Sequence, residues 1–520
     1  MRRALSSQLS NIGWGGAAVL AAAAAAALYL ISAPLVMLFV AAFRGPADAL
    51  PFEPGTQWSL ANFAIYGDTR FLAAVIPNTI VFVAGSVALG FAVAFALAWL
   101  VERTDLPGRA AIYPLVLFPL LVPGVVLAVA WIFLLGPRAG WLNLALRAAL
   151  GRGGEGPLDI FSMGGLIFAQ GVALVPFLFL LLSATLRSMN PALEEASAAA
   201  GASPLSTFWR VTLPALRPGI LAPVILASLI TLEQFEMPLI IGLPARIDIF
   251  STRIYYELNP DTNLPAFGRA SAVELPFLAA AMLLLLLYNR FVRQSERFAT
   301  VTGKAYRPVR LALGRWSAPA LGFVALYLCL AVLLPAAVLV WNSLFGFAPP
   351  SFAVLRTASL AAYRTLFERA DFWLAVRNTF IVAGASAALV TAIGALLAWT
   401  ALRSRLPGRG ALDLLSMVSI GIPSVIAGLA TMLLYLTLPL GLYGTLVVLV
   451  LAYSYRLAVS TRLSRVALTQ LHPELEEAAY AAGGSWGPTM RRVVLPLMAP
   501  ALVANFVLLF IIGFREFTLP

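Results

Sequence analysis

The chain has 520 residues, 61% of them hydrophobic and 11% charged, with a mean hydropathy of +0.91. No water-soluble fold hides that much apolar surface, so the composition excludes a soluble domain and points to a polytopic membrane protein. The net charge of +12 implies no nucleic acid, because Lys and Arg gather in short loops; one Cys (Cys329) and one His (His472) exclude a disulfide framework and a His/Cys metal cluster.

Met1-Arg2-Arg3 precedes an apolar run from about Gly15 to Phe43. That run exceeds a signal-peptide core, so it predicts an uncleaved first span with a cytoplasmic N-terminus. Arg44 to Pro77 is polar and is expected outside. Further spans are predicted at Thr79–Val101, Ala110–Leu135, Gly164–Leu186, Pro218–Ile241 and Ala272–Tyr288. The arginine-bearing loops Glu102–Arg109, Arg187–Arg217 and Asn289–Trp316 then face the cytoplasm. Pro137–Ser162 and Gly242–Arg269, with turn-rich Gly151-Arg152-Gly153-Gly154 and Asn259-Pro260-Asp261, face outward.

A basic polar stretch, 294–315, leads to a second series: Pro319–Trp341, Thr379–Thr400, Leu412–Leu436, Gly441–Ser460 and Pro500–Phe514. The second series repeats the first. Asn78-Thr79 recurs as Asn378-Thr379, Trp99 as Trp399, Leu106-Pro107-Gly108-Arg109 as Leu406-Pro407-Gly408-Arg409, and Pro123 as Pro423, all at 378 − 78 = 300. Beyond an outward loop that is shorter in the second copy, the offset is 473 − 191 = 282. The expected division is a first repeat over 1–293, a cytoplasmic linker over 294–315 and a second repeat over 316–520. Six spans per copy make the repeat parallel, about an axis along the membrane normal. Pro520 matches Pro238, so eleven spans are expected and the second copy lacks its last.

The most informative stretch occurs once per copy. Asn190–Pro218 aligns without a gap to His472–Pro500. Asn190 suits an N-cap and Pro191 a first helical position. Leu193-Glu194-Glu195-Ala196 then predicts a short helix with acid in its first turns. Ala198 to Ala200 keep it slim, Gly201 ends it with a left-handed turn, and Ser203-Pro204 starts the next helix. A slim helix–Gly–helix elbow suits docking into a groove of another protein.

These residues carry a resemblance. Glu195-Ala196-Ser197, Gly201, Val211 and Leu213-Pro214 in one copy, and Glu477-Ala478-Ala479, Gly483, Val493 and Leu495-Pro496 in the other, resemble the loop motif of membrane subunits of type I ABC importers. Val replaces the usual Ile in both, and Ser197 one Ala. The fused copies, Phe235-Glu236 and Glu516-Phe517 resemble in particular the two-half permeases of the ferric-iron type. The resemblance implies an all-α membrane protein with two tandem permease folds in a bacterial inner membrane. It implies that Glu194, Glu195, Ala196 and Gly201, with Glu476, Glu477, Ala478 and Gly483, couple to two copies of a separate cytoplasmic ATPase. It also implies a periplasmic or extracellular substrate-binding protein. ATP and magnesium belong to the partner: this chain has no G-x-x-x-x-G-K-[ST], and neither catalysis nor a metal or cofactor site is expected in it. Ferric iron is the leading cargo; thiamine, polyamines and phosphonates are alternatives within the class.

Polar residues within apolar runs mark a candidate path, since ionisable groups there are costly. The fifth span of copy one carries Glu233, Gln234 and Glu236; its mate carries Arg515 and Glu516, so Glu233 matches Arg515. Together with Arg456 these form a candidate gate or transient substrate contact, against the plainer reading of a static ion pair that fixes how the halves dock. Asn78 and Asn378 read as helix caps. An ion-coupled secondary transporter would explain the repeat and Glu233, but leaves the duplicated elbow unexplained. A membrane-embedded enzyme would need a cluster of His, Cys or paired acids that this chain does not offer.

Overall fold

The computed structural model describes residues 2–151, 153–189, 192–260, 264–297, 310–404 and 406–520. Asn190, Pro191, Arg152, Asp261 and residues 298–309 of the expected linker lie outside the described residues. The first half contains α1 (Arg2–Ala42), α2 (Ile76–Arg103), α3 (Arg109–Leu117), α4 (Gly124–Leu135), α5 (Trp141–Leu150), α6 (Met163–Ser188), α7 (Ala192–Ala199), α8 (Pro204–Thr207), α9 (Leu213–Leu232), α10 (Phe250–Leu258) and α11 (Phe267–Arg297). The second contains α12 (Ser317–Leu328), α13 (Leu334–Phe345), α14 (Ala361–Glu368), α15 (Ala370–Arg403), α16 (Arg409–Val418), α17 (Ser424–Thr437), α18 (Leu446–Tyr453), α19 (Leu457–Gln470), α20 (Glu474–Ala481), α21 (Trp486–Thr489) and α22 (Leu495–Phe514).

Among the described residues, seven helical runs are long and apolar enough to cross a membrane, or up to eleven if each bent pair counts as one span. Their outer faces stay apolar: Val503, Val507 and Phe514 on α22 are exposed. Such faces suit lipid, where the helix satisfies its own backbone groups.

Proline shapes these helices. The predicted straight spans Ala110–Leu135 and Leu412–Leu436 are each broken, at Pro123 and Pro423, with bends of 98° and 109°. A residue before proline is pushed out of the helical region; Val122 and Ile422 are extended, and the helix restarts at Gly124 and Ser424. The predicted span Gly441–Ser460 is likewise bent, by 54° between α18 and α19. Five π-helical segments, Phe71–Val75, Phe208–Thr212, Pro238–Gly242, Cys329–Leu333 and Met490–Val494, each end two residues before a proline: Pro77, Pro214, Pro244, Pro335 and Pro496. Proline removes one ladder hydrogen bond and crowds the carbonyl four residues back, so the preceding turn widens. The Leu-Pro pair that ends the loop motif is thus the source of a π bulge in each copy.

The chain divides into two compact units that do not follow the order of its two halves. One comprises Met1–Ile65, Ile254–Met282 and Arg369–Pro520; the other comprises Tyr66–Arg253 and Leu283–Glu368. In the first, α1 of the first half packs on α15, α16, α17 and α21 of the second. Ile12 and Leu20 of α1 join Trp399, Trp486 and Met490 in one core. In the second unit, α13 packs on α4, and the core gathers Phe82, Trp131 and Leu134 with Val338 of α13. Each half's first span therefore belongs to a core built from the other half's helices.

Candidate functional site

The duplicated stretch folds as two short helices joined at glycine in both copies: α7 and α8 in one, α20 and α21 in the other. Gly201 adopts φ +80° and Gly483 φ +84°, the left-handed region that glycine alone enters at little cost. Each turn is closed in the same way. The Ala202 amide donates to the Ser197 carbonyl at 3.1 Å, and the Gly484 amide to the Ala479 carbonyl at 2.9 Å. Ser203 caps α8, accepting from the Ser206 amide at 3.3 Å. Ser197, the departure from the motif, bonds Thr207 across the first elbow through their hydroxyls at 2.8 Å.

The two adjacent glutamates of each loop helix part company. Glu195, Ala196 and Gly201 are exposed, as are Glu477, Ala478 and Gly483. Large apolar side chains are exposed beside them: Leu193, Leu205 and Trp209 in the first elbow, Leu475 in the second. Glu194 and Glu476 turn inward. The Glu194 carboxylate accepts from the Arg103 guanidinium and, at 2.7 Å, from the Thr212 hydroxyl. The Glu476 carboxylate accepts from Trp399 Nε1 at 3.0 Å and makes an ion-pair contact of 3.3 Å with Arg403 Nε. Burial pushes the Glu476 carboxyl above its ordinary value, against the opposing pull of Trp399 and Arg403. Sequence reasoning missed Arg103, Arg403, Thr212 and Trp399 as partners of this helix.

The candidate path residues sit where helices stop. The predicted fifth span Pro218–Ile241 is not one helix: α9 ends at Leu232, with Glu233 as its C-cap, and helix resumes at Glu236 and passes into a π segment over Pro238–Gly242. Arg515 is the C-cap of α22. Glu236 lies against the first turn of α4, since a Cβ on Gly124 would meet its carboxylate. Unpaired amides at a helix start favour such a carboxylate. Arg456 and Glu516 come together: the guanidinium donates to the Glu516 carboxylate, to Ser424 Oγ at 2.8 Å and to Tyr455 Oη at 3.2 Å. Glu516 Oε1 also accepts from the amides of Thr518 and Leu519 at 3.1 and 3.3 Å. Asn78 and Asn378 are not caps. Asn78 donates to the Asp248 carbonyl at 3.2 Å from inside α2, and Asn378 lies well within α15. Flanking residues, Phe71 and Phe372 among them, continue each helix toward the N-terminus, which displaced the cap.

The family described as the binding-protein-dependent transport system inner membrane component matches residues 86–298 and 390–520. This chain belongs to that family. It is a fused permease with one matched segment in each half, and each segment contains one elbow. The permease is 26% identical over 501 residues to the ferric transport system permease protein of Actinobacillus pleuropneumoniae, covering 93% of this chain and 68% of that protein. It is 24% identical over 456 residues to an Fe(3+)-transport system permease protein of Haemophilus influenzae, covering 86% of this chain and 80% of that one. A sulfate transport system permease protein of Escherichia coli is 27% identical over 293 residues, covering 55% of this chain and 92% of that one. Membership makes this a multi-pass inner membrane protein and a transport subunit, of a family that works with a binding protein.

Proposed function

We propose that this chain forms the translocation path of an ATP-driven importer and that its two elbows dock separate cytoplasmic ATPase subunits. The observation that carries the reading is the pair of matched elbows within the two family segments, each with an exposed glutamate, a left-handed glycine and an exposed leucine, Leu193 or Leu475, outside the candidate membrane spans. In this reading the two copies are parallel repeats with the N-terminus in the cytoplasm. Closure of the ATPases displaces both elbows and rocks the two halves between inward- and outward-facing states. Glu195 with Gly201 and Glu477 with Gly483 are the contact points. Glu233, Gln234, Glu236, Arg456, Arg515 and Glu516 line or gate the path. The broken backbone around them supports this, because irregular backbone at membrane depth is stable where it faces protein or water, not lipid. A substrate-binding protein delivers the cargo from outside. Ferric iron is the proposed cargo, supported by relatives named for ferric transport that match most of the chain, whereas the sulfate relative matches about half.

The test is uptake. Vesicles containing this chain, co-expressed with an ABC ATPase subunit from the same organism, should accumulate labelled ferric iron delivered by a ferric-binding protein, and only with ATP on the elbow side. Uptake that survives without ATP and follows a proton or sodium gradient would replace the importer reading by secondary transport. ATP-dependent uptake of sulfate or a polyamine, with iron excluded, would keep the importer and overturn the cargo.

A further inference from the structure

Each elbow is fastened to one span through its inward glutamate, and in both copies an arginine–glutamate ion pair makes the fastening. Arg103 is the last residue of α2 and Arg403 the last of α15, and their positions differ by the repeat offset, 403 − 103 = 300. Glu194 and Glu476 differ by 476 − 194 = 282, the offset of the elbows. The supporting contacts are not shared. In the first copy Thr212 completes the carboxylate and Arg103 lies over the Trp99 ring, 5.9 Å from its centre. In the second Trp399 completes it, and Arg403 also donates to the Leu468 carbonyl at 3.0 Å and to that of Leu471. The arginine–glutamate contact is common to both.

The arginines are withdrawn from solvent: the side chains of Arg103 and Arg403 are 4% and 14% exposed. Ion pairs so desolvated add little to stability over an apolar contact of the same volume, yet removing one partner leaves the other charge uncompensated. What they supply is direction. The guanidinium draws the carboxylate to one side of the loop helix, through a hydrogen bond in the first copy and an ion-pair contact at 3.3 Å in the second. The loop helices α7 and α20 are short and otherwise largely exposed, with few apolar contacts to move with them. A push on the outward faces of Glu195 and Glu477 would be spent in rotating such a helix unless its inward face were anchored.

We propose that Arg103 and Arg403 are positioning residues for energy coupling: each ties the loop helix to the second span of its own half, so that a displacement of the elbow is delivered to α2 or α15. This rests on the reading that the elbows receive ATPase subunits.

The experiment uses the full chain with its co-expressed ATPase in liposomes. Three quantities are read on one preparation: ATPase retained on a column through a tag on this chain, ATP hydrolysis, and cargo taken up per ATP. Arg103→Met and Arg403→Met should keep the ATPase bound and hydrolysing, while uptake per ATP falls at least tenfold. The exchange of charges in Arg403→Glu with Glu476→Arg should recover several-fold of that loss, and Arg403→Lys, which keeps the charge and serves as the folding control, should lie between. Uptake per ATP unchanged in both methionine variants would overturn the tether. So would loss of the ATPase from the column with normal uptake per ATP in the fraction that remains, which would make the arginines part of docking. A wild-type chain that captures no ATPase would instead sink the importer reading, and the tether with it.

Discussion

Two exposed glycines four residues apart, Gly483 and Gly487, are expected to respond in opposite directions to the same added methyl group. Gly483 sits at φ +84°, and Gly487 lies within α21; a Cβ on either would meet nothing within 4 Å. Packing therefore cannot distinguish Gly483→Ala from Gly487→Ala, and the backbone alone decides. An L-residue in the left-handed region costs about 1–2 kcal/mol. Alanine replacing glycine inside a helix gains about 0.5–1 kcal/mol. If the ATPase binds only the closed elbow, its apparent affinity is reduced by the fraction of loops that leave that form. The upper limit for Gly483→Ala is then a loss of about 5- to 30-fold in Kd. Gly487→Ala should bind as tightly as the wild type or slightly tighter, and Gly483→Asn should lose less than alanine because asparagine tolerates this conformation. The measurement is a titration of labelled ATPase subunit onto detergent-purified permease, with Gly201→Ala as the same test in the other copy. Equal affinities for Gly483→Ala and Gly487→Ala would refute the reasoning, and so would a weaker Gly487→Ala.

Three further outcomes follow from the packing around the elbows and the helix breaks. Because the Glu476 carboxyl is held above its ordinary value of 4.5, the folded state binds the extra proton. Its contribution is full below that value and is lost as pH rises through the raised one, so Glu476→Gln should flatten the fall in melting temperature across that window. A steeper fall in the variant would contradict the assignment. Gly16 of α1 lies under the Trp486 ring, 2.8 Å from where a Cβ would sit, whereas Gly15 faces open space; Gly16→Val should destabilise by about 1–3 kcal/mol, and Gly15→Ala should not, as read by thermal unfolding in detergent. For the Arg456–Glu516 pair, Arg456→Met alone should cost about 3–5 kcal/mol and the double variant with Glu516→Leu much less. A stable double variant with wild-type uptake would make the pair a pin, not part of a gate.

Much of the fold was legible because proline acts locally. Pro123 and Pro423 were visible as matched residues in the sequence, yet read as lying inside straight spans, because hydropathy measures length of apolar run and is blind to direction. An extended residue before each proline turns the chain through 98° and 109° without adding a polar group. The same blindness placed Glu233 and Gln234 within a helix, when they lie in the break between Leu232 and Glu236. The exchange of first spans lay beyond reach for another reason. Ile12 and Leu20 are apolar like their neighbours, and nothing in their identity says that Trp486, far along the chain, completes their core.

The elbow itself was legible down to its glycine, but the division of labour between its two glutamates was not. Consecutive residues on an α-helix point about 100° apart, so Glu194 and Glu195 cannot both face a partner, and the motif does not say which turns away. The answer depends on a residue about 90 positions earlier, Arg103, whose guanidinium reaches Glu194. That arginine was in plain sight at the repeat offset beside Trp99, Leu106 and Arg109. It was passed over because an arginine ending a span is the ordinary sign of a cytoplasmic loop. The expected sign and the proposed role share one residue: the arginine that the positive-inside rule would assign to a cytoplasmic loop is the one whose guanidinium reaches the loop helix. A substitution there thus acts on two levels, and one that keeps the charge but loses the guanidinium, Arg103→Lys, separates them.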